Sequence, residues 1–167
     1  LGNEVEEVKT LKSEGFTIIY RDINPSVESA KNIEAAGADI IFHASGGTGN
    51  GVFAAAKAEN ETRNEADKVW VIGVDRDQSA EGAYTSKDGK ESNFVLASTL
   101  KQVGAAVKDI ATKAENGEFP GGEIVRYTLA DKGVELAETN LSDDAAKAVA
   151  DAKQAILDGK IEVPERP

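Results

Sequence analysis

A chain of 167 residues falls in the range of a single domain and is long enough to bury a real core, and 40% hydrophobic against 29% charged residues is the balance of an ordinary globular chain. With 19 basic and 30 acidic residues the net charge is −11, which argues against nucleic acid or an anionic membrane surface as partner, because both require clustered Lys and Arg. The absence of cysteine excludes disulfides, thiolate catalysis and Cys-based metal sites; no apolar run reaches the ~18 residues of a membrane span or has the form of a signal peptide, so the chain as given is expected to be soluble. Methionine is absent even at position 1, which points to a processed, trimmed or engineered piece of a longer product.

In chain order, Val5, Val8 and Leu11 recur at helical spacing before Gly15 and predict an amphipathic helix over about residues 3–14. Phe16–Tyr20, β-branched and aromatic, predicts a strand. After Asn24-Pro25, Ser26 is an N-cap candidate for a helix ending at Gly37, followed by a strand over 38–44. The next helix begins near Asn50 and fades between Glu59 and Lys68, and Val69–Val74 predicts a strand ending at Asp75. Ser79–Ser92 is a polar excursion with a turn at Lys87-Asp88-Gly89-Lys90. Phe94–Leu96 predicts a short strand, Thr99 a cap for a long helix to about Asn116, Glu123–Leu129 a further strand, and Ser142 the cap of a last helix running to Gly159. Alternating helices and strands imply an α/β fold of three αβα layers around a mainly parallel sheet, in one domain over 1–167.

The chemistry concentrates at two strand ends. Ala38–Ala44 runs into Ser45-Gly46-Gly47-Thr48-Gly49-Asn50-Gly51 and then a helix, so bare backbone N–H groups and a helix N-terminus meet where a polar ligand group can dock. Val69–Val74 ends in Asp75-Arg76-Asp77-Gln78, and ligands of open α/β sheets sit outside the carboxyl ends of the strands. Asp75 there has the acceptors to hold a vicinal diol such as a ribose, or is an acidic turn residue. Lys101 is placed at the start of the helix after the 94–96 strand, from which it either reaches the crevice or stays solvated. Phe42 reads as core or as a stacking platform, and His43, the sole histidine, as packed or ligand-touching. The glycine string fits neither the G-x-G-x-x-G fingerprint nor a P-loop, and no paired carboxylates, activated nucleophile or metal-ligand cluster stands out. Binding without catalysis, cofactor or metal is the expectation.

Gly37–Phe42, Gly46-Gly47-Thr48-Gly49-Asn50-Gly51-Val52-Phe53, Val69–Gln78 and Val95–Lys101, continued by Gly117–Gly122 and Asp131–Val134, together resemble the basic membrane protein family of substrate-binding lipoproteins, which includes purine-nucleoside receptors of ABC transporters. The resemblance covers about residues 37–167; residues 1–36 form an atypical N-terminal αβ unit. It implies one lobe of a type I periplasmic-binding-protein-like fold, tethered outside the cytoplasmic membrane by lipid in its full-length parent and delivering nucleoside to a permease. It further implies that Asp75 holds ribose hydroxyls, that the Gly46-Gly47 turn faces the sugar, that Lys101 contacts base or ribose and that Phe42 or His43 packs on the purine. The chain is then a carboxyl-terminal lobe fragment or a chimera, with a half-site and the option of homodimerisation. The rival readings are a stand-alone doubly wound domain, receiver-like or a nucleotide-dependent enzyme, and an inactive engineered or chimeric scaffold.

Overall fold

The computed structural model describes residues 9–13, 16–20, 38–44 and 46–164. Strands β1 (Lys9–Ser13) and β2 (Phe16–Tyr20) pair antiparallel, Lys9 opposite Tyr20 and Ser13 opposite Phe16. Over residues 9–13 this corrects the helix expected across 3–14. Three apolar residues at helical spacing are a weak signal, and the complete ladder offered by the β-branched partner outweighs it. Residues 3–8 and the helix expected from Ser26 to Gly37 lie outside the described residues.

The main sheet has the order β3 (Ile40–Phe42), β4 (Trp70–Asp75), β7 (Val95–Lys101), β8 (Val134–Glu138). The first three run parallel and β8 is antiparallel to β7, so the sheet is mainly parallel as expected. Helix α1 (Gly49–Asn60) makes the crossover from β3 to β4, and a hairpin of β5 (Ala83–Thr85) and β6 (Glu91–Asn93) forms the polar excursion between β4 and β7. The core lies where these meet. Val52, Phe53, Ala55 and Ala56 of α1 pack with Ile41, Val69 and Val71, and Phe94, Val95 and Tyr84 close the cluster. Asn60, fully buried at the end of α1, donates to the Val69 carbonyl at 2.8 Å and accepts from the Val69 N–H at 2.7 Å, clamping the helix to the start of β4. A buried amide is tolerated there because donor and acceptor are both satisfied.

From β7 onward the chain departs from expectation at several points. Thr99 caps no helix: it lies within β7, facing Val74 on one side and Leu136 on the other, and the helix α2 (Val103–Glu115) begins after Gln102. A central strand flanked by two neighbours extends as far as both ladders can pair, which carries β7 well past Leu96. Lys101 accordingly ends a strand instead of starting a helix. Residues 123–129, expected as a strand, are irregular and run beside α2, where the Tyr127 hydroxyl and Lys113 Nζ both donate to Asp109 at 2.7 and 2.6 Å. The edge strand is instead Val134–Glu138, a Leu-, Ala- and Glu-containing stretch with little intrinsic β preference that the open side of β7 recruits. The last helix, α3 (Asp143–Leu157), follows expectation: Ser142 Oγ accepts from the Ala145 N–H at 3.2 Å, and Asp143 and Asp144 occupy the positive end of the helix dipole.

Candidate functional site

The parallel register puts the carboxyl ends of β3, β4 and β7 along one edge of the sheet. From that edge rise the Gly46–Thr48 turn after β3, Asp75 at the end of β4 and Lys101 at the end of β7. Asp75 and Lys101 meet: the Lys101 Nζ lies 2.7 Å from Asp75 Oδ1, with both side chains substantially exposed. An ion pair so open to water contributes little to stability, and its groups remain available to a ligand.

The backbone at Asp75 is unusual. Its φ is +70°, the left-handed region that a non-glycine residue enters at a cost of about 1–2 kcal/mol. The Arg76 N–H donates back to the Val74 carbonyl at 2.9 Å, a bond spanning two residues that makes Asp75 the apex of a γ-turn. The Val74 N–H donates to Gln78 Oε1 at 2.9 Å, and the Gln78 N–H donates to Ser98 Oγ at 3.1 Å. Gly73 is needed beneath this knot: a Cβ there would lie 2.7 Å from Ser98 Oγ and 2.9 Å from Gln78 Oε1.

The Gly46–Thr48 turn forms a single 3-10 turn that leads into α1, with Gly46 at φ +54° and open space around the Cα of both Gly46 and Gly47. Among the described residues, no atom lies within 4 Å of where a Cβ would stand on either glycine. Gly49, the first residue of α1, is different: it is buried, and a Cβ there would collide with the His43 imidazole. That ring is only 4% exposed and lies edge-on to Phe53, centroids 5.4 Å apart. Among the described residues neither ring nitrogen finds a well-formed hydrogen bond. Burial holds the imidazole below its ordinary pKa, the nearby Gln78 side chain and Asp75 carboxylate pulling the other way. His43 shares the inward side of β3 with Ile41, whereas Phe42, half-buried, points to the opposite side.

Of the six residues singled out in the sequence, the structure therefore joins Asp75 to Lys101, leaves Gly46 and Gly47 open on the same sheet edge, and sends His43 into the core next to α1. Sequence reasoning missed Gln78 and Ser98. The traceable signal was Gly73, a glycine inside a strand, which marks a close approach by neighbouring groups. Among the described residues no group of three or more His, Asp or Glu could hold a metal ion, and no helix is long and apolar enough to cross a membrane.

A mainly parallel α/β sheet with its polar groups gathered at the carboxyl edge is the architecture of one lobe of a periplasmic-binding-protein-like fold, and solved structures bear the fold out. A solute-binding protein of an ABC transporter system from Aeropyrum pernix superposes with a TM-score of 0.65 at 21% identity, over 84% of this chain and 44% of that one. A structure described as a transcriptional activator of the comK gene from Bacillus halodurans gives 0.63 at 19% identity, over 81% and 42%. The chain belongs to the family described as PnrA-like ABC transporter substrate-binding proteins, whose model matches residues 3–167. An ABC transporter nucleoside-binding protein, BmpA, from Lactococcus lactis is 50% identical over 97% of this chain and 48% of its own length. A CD4+ T-cell-stimulating antigen from Listeria monocytogenes is 49% identical over 92% and 48%, and basic membrane protein D from Borreliella burgdorferi 30% identical over 87% and 40%. The chain thus spans about half the length of the curated relatives it matches.

Proposed function

We infer that this chain is the nucleoside-binding lobe of an extracytoplasmic ABC transporter receptor, carrying a half-site for a purine nucleoside and performing no chemistry. The observation that carries the reading is the exposed Asp75–Lys101 pair at the carboxyl edge, beside the open Gly46-Gly47 turn, in a chain so similar to a nucleoside-binding protein. A carboxylate accepts two hydroxyl hydrogen bonds at once, which suits the 2′ and 3′ oxygens of a ribose. Lys101 supplies donors to a ribose oxygen or a ring nitrogen, and the glycine turn lets the sugar approach the backbone. Phe42, which keeps surface outside the core, is the better candidate than His43 to pack on the base. In the longer protein the lobe would be held outside the membrane by lipid and pass its ligand to a permease.

Ligand pockets bury ~70–90% of their occupant, so half of a cleft binds weakly. The test is calorimetric titration of the chain with inosine, guanosine and adenosine, with molecular mass measured by light scattering in the same samples. The expected result is weak binding of one or more of the three, abolished in Asp75→Ala. Unchanged affinity in that variant would remove Asp75 from the site, and turnover of a nucleotide would overturn the non-catalytic reading.

A further inference from the structure

We propose that Gln78 is the positioning residue that aims Asp75 at its ligand. This rests on the nucleoside reading above only for what Asp75 binds, not for how it is held. The carboxylate that matters sits on a residue whose backbone is in the least favourable conformation of the site, and such strain persists only where surrounding contacts enforce it. Those contacts converge on Gln78, whose side chain holds Val74 and whose backbone is tied to β7. Val74 immediately precedes the apex, and both its polar backbone groups are drawn into the turn: its carbonyl accepts from Arg76 N–H, and its N–H donates to Gln78 Oε1. Gln78 is itself buried, 6% exposed, with its own N–H on Ser98 Oγ across in β7. Ser98 is fully buried and three residues from Lys101 on the same strand, so one knot fixes the end of β4 that bears Asp75 relative to the strand that bears Lys101. Gly73 makes room for it, and Thr99 Oγ1 adds a further tie to the Gly73 carbonyl at 3.3 Å. Without the Gln78 acceptor, the Val74 N–H is left without its partner, and Asp75 relaxes toward extended backbone, swinging its carboxylate away from Lys101.

The pair of variants that tests this is Gln78→Met, which keeps the volume and removes the acceptor, and Gln78→Glu, which keeps an acceptor oxygen. The readouts are the three-bond amide-to-Hα coupling of Asp75, which reports φ, and the affinity for the nucleoside that the unaltered chain prefers. Gln78→Met is expected to move the coupling toward the extended value and to weaken binding by about tenfold or more, whereas Gln78→Glu restores the coupling and stays within about threefold of the parent. A merely structural role would lower thermal stability in Gln78→Met while leaving the Asp75 coupling where it was. Wild-type coupling and affinity in folded Gln78→Met overturn the proposal. If the unaltered chain binds no nucleoside, the functional reading fails by itself, and the coupling alone decides the role of Gln78. Should Gln78→Met not fold, Ser98→Ala, which removes the acceptor of the Gln78 N–H, is read by the same coupling with the same two outcomes.

Discussion

Asp75 carries a conflict between stability and binding that a single substitution separates. Glycine adopts positive φ without the steric cost that Asp75 bears, so Asp75→Gly relieves about 1 kcal/mol of strain and gives up only an exposed ion pair. The expected outcome is a melting temperature equal to or above that of the parent together with loss of nucleoside binding. A clear fall in melting temperature would mean that the carboxylate holds the fold instead. His43 gives a second residue-level expectation, in pH. Its folded-state pKa is lowered by burial, so between that value and the ordinary ~6.5 the unfolded chain binds more protons than the folded one. Stability is therefore complete above pH ~6.5 and is lost as pH falls through the folded value. Thermal unfolding between pH 7.5 and pH 5 is expected to show this decline in the parent and not in His43→Phe; a parallel decline in both would assign it elsewhere. Residue types and strand ends singled out Asp75 and the glycine turn as candidates in the sequence, whereas Lys101 was singled out at a helix start and stands instead at the end of β7. The inward pointing of His43 was not, because one polar residue at a strand end does not announce which face it takes, and only the buried Gly49 beside it records the choice.

Gly49 is the point at which α1 depends on that choice. At the first position of a helix alanine is normally the better residue, yet here its Cβ meets the imidazole ring. Gly49→Ala is expected to destabilise the fold by about 1–3 kcal/mol, the usual cost of overpacking, and His43→Ala in the same chain should recover part of the loss. Additive losses in a double-mutant cycle measured by denaturant unfolding would show that the two do not compete for space. The elements around α1 were readable because the period of their apolar residues matched their structure: β3, α1, β4 and the capped α3 all stand close to their expected places. The reading failed where neighbouring strands overrode local preference. Glu123–Leu129 has the better strand composition, but β7 pairs with Val134–Glu138, and Ile124 stays 87% exposed. Thr99 looked like a cap for the same reason: nothing local distinguishes a cap from the middle of a strand whose two partners lie far away in sequence.

At the scale of the molecule, the two ends of the described fold are unequally covered. The core around α1 is closed, whereas neither α2 nor α3 buries a residue, and a groove of about 630 Å³ lies between α3 and the β7–β8 edge. Val103, Ala106, Val107, Ile110, Ala111 and Ala114 form a continuous apolar stripe along α2 at helical spacing, with Val103 63% and Val107 64% exposed. A stripe of this kind is normally found against another element, and the curated relatives are about twice as long as this chain. A second copy of the chain would cover the stripe, held together by its burial at roughly 25 cal/mol per Å² against the cost of association and a net charge of −11 on each partner. Association is therefore expected to strengthen with added salt, which screens the repulsion, while the apolar contact persists. Light scattering across a concentration series should show mass rising above the monomer, more so at high salt, and Val103→Lys with Val107→Glu should return it to the monomer with little change in melting temperature, since both side chains are solvent-facing in the single chain. A parent chain that remains monomeric at every concentration and salt would leave the α2 stripe wet in isolation and reserve it for contacts made within the longer protein.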